Sequence, residues 1–492
     1  MKRALAACAT AALIAVSGCG SSTSTQGSSD PANVAPANTL AYASFDMAPT
    51  GPEKADFDAA FSKLLGADPE TKLGEAFTKA VQTTSLSYAD DVKPWLAGPV
   101  AVALTGVGQN SCDFALLMPS SDDGKAQAAI AKDLAGTGAQ DRTYRDVAYK
   151  LQGDGTANGI VDHVVVAGTE TAFKDVVDAT KDGKTLAGSD QFKSTVGDRA
   201  NGKVGLAYVD AKAVLQSVAA NLPGVQRVAA PMLLGIFDLH PFVATLDAQP
   251  DSLIVDVASP GTKVDPNGPG AASSPLIESF PADSWLALAV PKAGAALGKL
   301  EAALKSNPLI GAEFANIAAS VRAQTGIDLD KDVVAALGDV GLFVRGTTPA
   351  TAAATLVTRP TRPGALANTM KRLPAVIVAK TRGRAKVTPQ ASGFDVAGPR
   401  GKRRLLVRTG VRAQAKLGNT VLFKKAAALI GQRPTFFVNV GPALDLAAQA
   451  PRHKSDEHFK AALPRLRHVE YVAAGARRDA GLDVLRGVIG LR

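Results

Sequence analysis

Tyr149-Lys150-Leu151-Gln152-Gly153-Asp154-Gly155-Thr156-Ala157-Asn158-Gly159-Ile160-Val161-Asp162-His163-Val164-Val165-Val166 is the stretch that decides the fold class. Two runs suited to a pleated surface, Tyr149–Gln152 and Ile160–Val166, flank Gly153–Gly159. That tract is rich in residues that tolerate tight turns, so the runs read as antiparallel partners. Outward from it, Val100–Leu104, Phe114–Met118, His163–Ala167 and Val204–Val209 read as further strands. Apolar residues at helical spacing predict helices at Ala55–Leu65, Lys125–Leu134, Phe173–Ala179 and Ala211–Ala220. Hairpins with helices between them predict an α+β fold. A doubly wound parallel sheet is disfavoured because no Gly-rich strand-to-helix turn occurs.

The pattern repeats. Pro36-Ala37-Asn38-Thr39-Leu40-Ala41-Tyr42 has a counterpart in Pro281-Ala282-Asp283-Ser284-Trp285-Leu286-Ala287. Asp90–Ala101 is matched by Asp330–Gly341, and Lys203–Asp210 by Pro434–Gly441. Each half closes with a hairpin-like pair, Phe242–Asp247 with Leu253–Val257 and Val469–Ala474 with Leu482–Val488. Because the matches keep one order, two similar tandem domains are expected, each a mainly antiparallel sheet packed with helices. They span residues 36–258 and 276–492, and a Pro/Gly tract at 259–275 without periodicity links them.

Ahead of the first domain, Lys2 and Arg3 precede an apolar run from Ala4 to Val16, and the segment closes Val16-Ser17-Gly18-Cys19. The run is shorter than the ~20 residues needed to cross a hydrocarbon core and has the layout of an export signal over residues 1–18. Its end resembles the lipobox of bacterial lipoproteins. That resemblance implies cleavage between Gly18 and Cys19 and a diacylglycerol on the Cys19 thiol, two chains being enough for stable anchoring. Residues 19–35 then read as a flexible Ser/Thr/Gly tether. The protein is thus expected outside the cytoplasm, lipid-anchored on the outer face of the membrane, with no other span. The stretch Val228–Leu246 is interrupted by Pro231, Asp238, His240 and Pro241. The chain has three cysteines. With Cys8 in the leader and Cys19 lipidated, Cys112 is expected to be an inert buried thiol in a chain lacking internal disulfides.

The Pro36–Tyr42 opening, Asp91-Val92-Lys93-Pro94-Trp95-Leu96-Ala97-Gly98, and the region from Phe173-Lys174-Asp175-Val176-Val177-Asp178 to Leu206-Ala207-Tyr208-Val209-Asp210 resemble a bacterial family catalogued as domain of unknown function 3352. The resemblance covers most of the chain beyond the tether and implies a cell-envelope protein of unassigned role. It carries over no catalytic residue. The second half keeps the layout without the Lys-Pro-Trp.

Charge divides unevenly. Gly20–Gly270 holds 19 Lys+Arg against 30 Asp+Glu, and Ala271–Arg492 holds 33 against 15. Basic residues are densest from Arg359 to Arg433, with Arg400, Lys402, Arg403, Arg404 and Arg408 at an expected hairpin and Arg382 and Arg384 near them in sequence. Three readings stand: a solvated face, attraction to anionic lipid or wall polymer, or docking on an acidic protein surface. Nucleic acid is not expected as a partner, since export removes it and aromatics are not interleaved.

Other chemistry is poorly represented. His163, His240, His453, His458 and His468 form no metal spacing, and no cysteine pair, serine elbow, phosphate loop or dinucleotide fingerprint occurs. Asp90 and Asp91 read as caps rather than an acid–base pair. The chain is therefore expected to be a non-enzymatic binding or interaction module, with no cofactor. A carrier for a lipid or other apolar ligand is the alternative, and an enzyme of unrecognised type the second.

Overall fold

The computed structural model describes residues 30–47, 49–51, 53–80, 86–108, 111–221, 239–259, 273–306, 311–398, 404–450, 456–479 and 482–492. The chain divides into two compact units between Thr262 and Lys263.

The first unit runs β1 (Ala41–Phe45), α1 (Glu53–Leu65), α2 (Pro69–Ala80), β2 (Val100–Val107), β3 (Cys112–Pro119) and α3 (Asp123–Asp133). It continues through β4 (Gln140–Tyr144), β5 (Val147–Leu151), β6 (Thr156–Val161), β7 (Val164–Thr169), α4 (Glu170–Asp182) and α5 (Asp190–Val196). It closes with β8 (Gly205–Val209), α6 (Ala211–Ala220), β9 (Phe242–Gln249) and β10 (Ser252–Ala258). The sheet order is β4-β5-β6-β7-β3-β2-β1-β8-β9-β10, every neighbouring pair antiparallel.

The second unit runs β11 (Leu286–Val290), α7 (Ala293–Ser306), α8 (Gly311–Thr325), β12 (Asp339–Arg345), β13 (Ala353–Arg359) and α9 (Pro363–Lys380). Then come β14 (Lys386–Gln390), β15 (Gly393–Ala397), β16 (Arg404–Thr409), α10 (Val421–Ile430) and β17 (Phe436–Asn439). The unit ends with α11 (Val440–Ala448), α12 (Glu457–Leu466), β18 (Val469–Asp479) and β19 (Leu482–Leu491). Its order is β14-β15-β16-β13-β12-β11-β17-β18-β19, antiparallel apart from the parallel β13–β16 pair. The fold is α+β, as the opening hairpin implied.

The units share more than strand order. Pro36 bridges Thr185 and Pro281 bridges Lys416. One residue on, the Leu186 amide donates to the Ala35 carbonyl at 2.7 Å, and the Leu417 amide donates to the Phe280 carbonyl at 2.7 Å. Both leucines are fully buried. A single π-helical turn precedes β2 at Tyr88–Val92 and β12 at Leu329–Val334. In each, a carboxylate caps the turn's own entry: Asp91 Oδ2 accepts from the Ser87 amide at 2.8 Å, and Asp332 Oδ2 from the Asp328 amide at 2.9 Å. That geometry makes Asp91 the counterpart of Asp332. The strand ends align Ala101 with Gly341, so the first unit carries one residue more in between.

Two details of the opening stretch differ from the expectation. Ile160–Val166 is not one strand. Asp162 and His163 take left-handed conformations, φ 47° and 61°, and make a tight turn between β6 and β7. Thr156–Gly159 belongs to β6 rather than to the turn. The non-glycine turn hid because Asp and His adopt positive φ only occasionally. Cys112 corrects a third expectation, being half-buried rather than sealed in the core.

Each sheet has one packed face. In the first unit it carries Tyr42, Ala101, Ala103, Leu117, Val166 and Leu206, all nearly inaccessible, under Phe173 of α4 and Phe192 of α5. In the second it carries Ala287, Ala289, Phe343, Val357 and Phe437, with Phe423 of α10 against Phe437 and Phe280 against Phe343. On the opposite face, helices cover one end. Ile130 of α3 joins Trp95, Met118 and Val165, and Leu366 and Met370 of α9 join Phe394 and Val407.

Candidate functional site

Strand sequences show what the opposite faces do. β11 reads Leu286-Ala287-Leu288-Ala289-Val290, apolar at every position. Because successive side chains alternate, the alanines point to one face and the bulky residues to the other. Ala287 and Ala289 are buried, whereas Leu288 is 36% exposed. β2 behaves likewise, with Ala101 and Ala103 buried and Val100, Val102 and Leu104 only half-buried. An antiparallel sheet with one solvated face ordinarily turns polar residues outward. Here the larger apolar residues lie on the less covered side.

Register extends this into continuous rows. In the second unit Leu356, Leu342, Leu288, Phe436 and Ala474 stand side by side across five strands. In the first, Phe114, Leu104, Ala41, Val209 and Phe242 do the same. No member of either row is fully buried, and Phe114 and Leu356 are 40% and 37% exposed. Five strands at ~4.8 Å spacing make a row of about 19 Å. Helix α6, whose Asn221 cap donates through Nδ2 to the Val107 carbonyl, adds the exposed Leu215 and Val218. A shallow groove of about 310 Å³ also lies along α8, lined by residues such as Asn316, Ile317, Ser320 and Val321 of that one helix.

The Asp91–Gly98 motif is structural. The buried Trp95 donates through Nε1 to the Asp91 carbonyl at 2.6 Å. Lys132 Nζ lies 2.7 Å from Asp91 Oδ1, and that hydrogen bond, with the Ser87 amide second, holds the Asp91 carboxyl below the usual range. The second unit fills the place of Trp95 with the buried Ala336, packed with Leu366 and Phe394. Asp90 is exposed, and no acid–base pair forms with Asp91, whose partners are Lys132 and Ser87.

The residues singled out from sequence fall into three groups. Gly18, Cys19, Arg400, Lys402 and Arg403 lie outside the described residues. Arg408 is half-buried, ion-paired with Asp395, and donates to the Phe394 carbonyl at 3.0 Å. Arg382, Arg384 and Arg404 are exposed, and Lys386 joins them, since Lys386, Ala397 and Arg404 form one transverse row across β14–β15–β16. Among the described residues no group of three metal-ligating side chains occurs. His163 Nδ1 lies 2.8 Å from Asp123 Oδ2 at the surface. No helix among the described residues is long and apolar enough to cross a membrane.

The architecture is α+β, in two compact units each built on a mainly antiparallel sheet. The chain belongs to the family of proteins of unknown function DUF3352, whose sequence profile matches residues 4–397. The match runs through the first unit and into the second as far as the end of β15, so the family's pattern takes in both. No curated protein matches the chain. The solved structure of TP0453 in its crystal form I is 12% identical, covers 48% of this chain and 81% of that one, and superposes with a TM-score of 0.23, too low to define a shared fold. The apolar rows were not picked out from sequence, although runs such as Leu286–Val290, apolar at both parities, carried the signal.

Proposed function

We propose that the protein is a non-enzymatic binding protein of the cell envelope, held to the outer face of the cytoplasmic membrane by lipid on Cys19, and that its ligand is apolar. One observation carries the ligand class: each unit lays a five-strand row of apolar side chains across the less covered face of its sheet. Exposed apolar area costs free energy in water at about 25 cal/mol per Å². Contiguous uncovered apolar surface usually marks a binding site. A row of about 19 Å is comparable with the ~15 Å depth of one leaflet of a hydrocarbon core. An acyl chain laid across the strands fits that length better than a compact metabolite.

The anchor rests on the Val16–Cys19 motif and on the polar tract that follows it. A Cys19→Ser chain should leave the membrane fraction. The ligand reading is tested by titrating a fluorescent long-chain fatty acid into the full chain carrying that substitution. Saturable binding displaced by unlabelled fatty acid supports it. Absence of binding at tens of micromolar probe refutes it.

A further inference from the structure

The second unit lacks a helix that the first carries, and that uncovers a surface. Between β7 and the Thr185 bridge the first unit inserts α4, which lies on the packed face of its sheet. Between β16 and the equivalent Lys416 bridge the second unit has only residues 410–415, all described and none helical. The adjoining meander is also one strand shorter, β14–β16 against β4–β7. That is why β16 runs parallel to β13, whereas β7 runs antiparallel to β3. The strand face that α4 covers in one unit therefore has no such helix in the other.

The residues on that face have changed accordingly. Under α4 the first unit presents Tyr149, Ala157, Gly159, Val164 and Val166, and Phe173 packs on Tyr149 in a tilted pair with ring centroids 4.8 Å apart. An apolar bed holds that helix. The corresponding strands of the second unit turn Lys386, Thr388 and Gln390 of β14 and Arg404 of β16 to solvent, with Asp395 and Arg408 paired between them. Arg382 and Arg384 stand in the turn leading into β14, at the same end of the strands as Lys386 and Arg404. None of Arg382, Arg384, Lys386 and Arg404 has an ion-pair partner among the described residues. The row from Lys386 through Ala397 to Arg404 places two of these cations roughly 10 Å apart on a flat sheet.

We infer that this bare face of β14–β15–β16 docks on an anionic membrane surface. A protein partner would need several buried apolar anchors at the centre of its interface, and beside the half-buried Leu406 this face offers polar side chains and cations in one plane. Planar charge without a pocket suits a layer of lipid phosphates, to which clustered basic residues are drawn additively and in a salt-dependent way. The inference deepens the envelope reading by giving the second unit its own contact with the bilayer. It does not need Cys19 to be lipidated.

The test uses the full chain with Cys19→Ser, so that no lipid anchor contributes, and vesicles of phosphatidylcholine with or without phosphatidylglycerol. At low salt the chain should sediment with the anionic vesicles only and should release at high salt. Arg384→Glu with Lys386→Glu and Arg404→Glu should lower partitioning on the order of 100-fold. An equal charge reversal in the first unit, Lys181→Glu with Lys184→Glu and Lys212→Glu, should change it far less. No binding at low salt overturns the inference, as do equal losses in the two triple variants. Binding to polyglutamate but not to vesicles also overturns it, in favour of an acidic protein partner. Because the anchor is absent throughout, a negative result here leaves the Cys19 reading untouched, and a failed anchor leaves this result untouched.

Discussion

Replacing Leu288 and Leu356 together with serine separates a ligand-binding face from a core. The two lie in one row, on either side of Leu342. Fully burying a leucine is worth ~1.5–3 kcal/mol. At 36% and 37% exposure each side chain has already realised about two-thirds of that within the fold. Each substitution should therefore cost about 1–2 kcal/mol of stability. A sealed core position costs more, up to ~5 kcal/mol, because a cavity is left behind. The remaining third is what a ligand can cover, about 0.5–1 kcal/mol per residue, so the pair should weaken fatty-acid binding to the second unit roughly tenfold and leave the first unit's row unchanged. The contrasting substitution is Ala289→Leu on the packed face, where Ala289 is 1% exposed. Overpacking there should cost ~1–3 kcal/mol with little effect on affinity. Urea unfolding and probe titration on the same samples give both quantities. If the double variant binds as much probe as the parent with every site within twofold of its parental affinity, or unfolds as if a sealed core had been opened, the face is not a ligand surface.

Other outcomes follow from single contacts. Trp95→Ala should cost ~3–5 kcal/mol in urea unfolding, since a buried indole and its hydrogen bond to the Asp91 carbonyl are lost together. Asp91 has a folded-state pKa below its unfolded value, so its contribution is present at neutral pH and is lost as pH falls through the folded pKa. Asp91→Asn should flatten the acid limb of a stability–pH curve, and an unchanged limb would remove Asp91 from that account. Peptide mass spectrometry of protein from its native membrane should find an N-terminal Cys19 carrying diacylglycerol. A peptide starting upstream of Cys19, or one joined through Cys19 to Cys112 by a disulfide, contradicts the anchor.

Much of this fold was written in local signals. Helix Ala211–Ala220 stands where its apolar spacing placed it, and both closing hairpins run at or beyond their expected bounds. Strand alternation and turn residues act over a few neighbours, so they survive translation into sequence pattern. What did not survive was anything set by position in the sheet. The Asp162–His163 turn depends on two residues accepting positive φ. The parallel β13–β16 pair follows from a count of strands rather than from any residue in either strand. Arg408 reads in sequence as one more cation of a basic run, yet the neighbouring strand brings Asp395 to it. The apolar rows are assembled from five strands far apart in the chain, and only register shows that they are continuous. The absence of an α4 equivalent was present as a short segment between Thr409 and Lys416, legible only once Thr185 and Lys416 were seen to be equivalent.

The claim that the uncovered sheet faces hold an apolar ligand is tested most directly by native mass spectrometry of protein released gently from its own envelope. The account predicts a non-covalent adduct of lipid mass that is lost on denaturation and, in the Leu288→Ser, Leu356→Ser chain, loses the share held by the second unit. A bare polypeptide mass, with only the covalent lipid at Cys19, would contradict it.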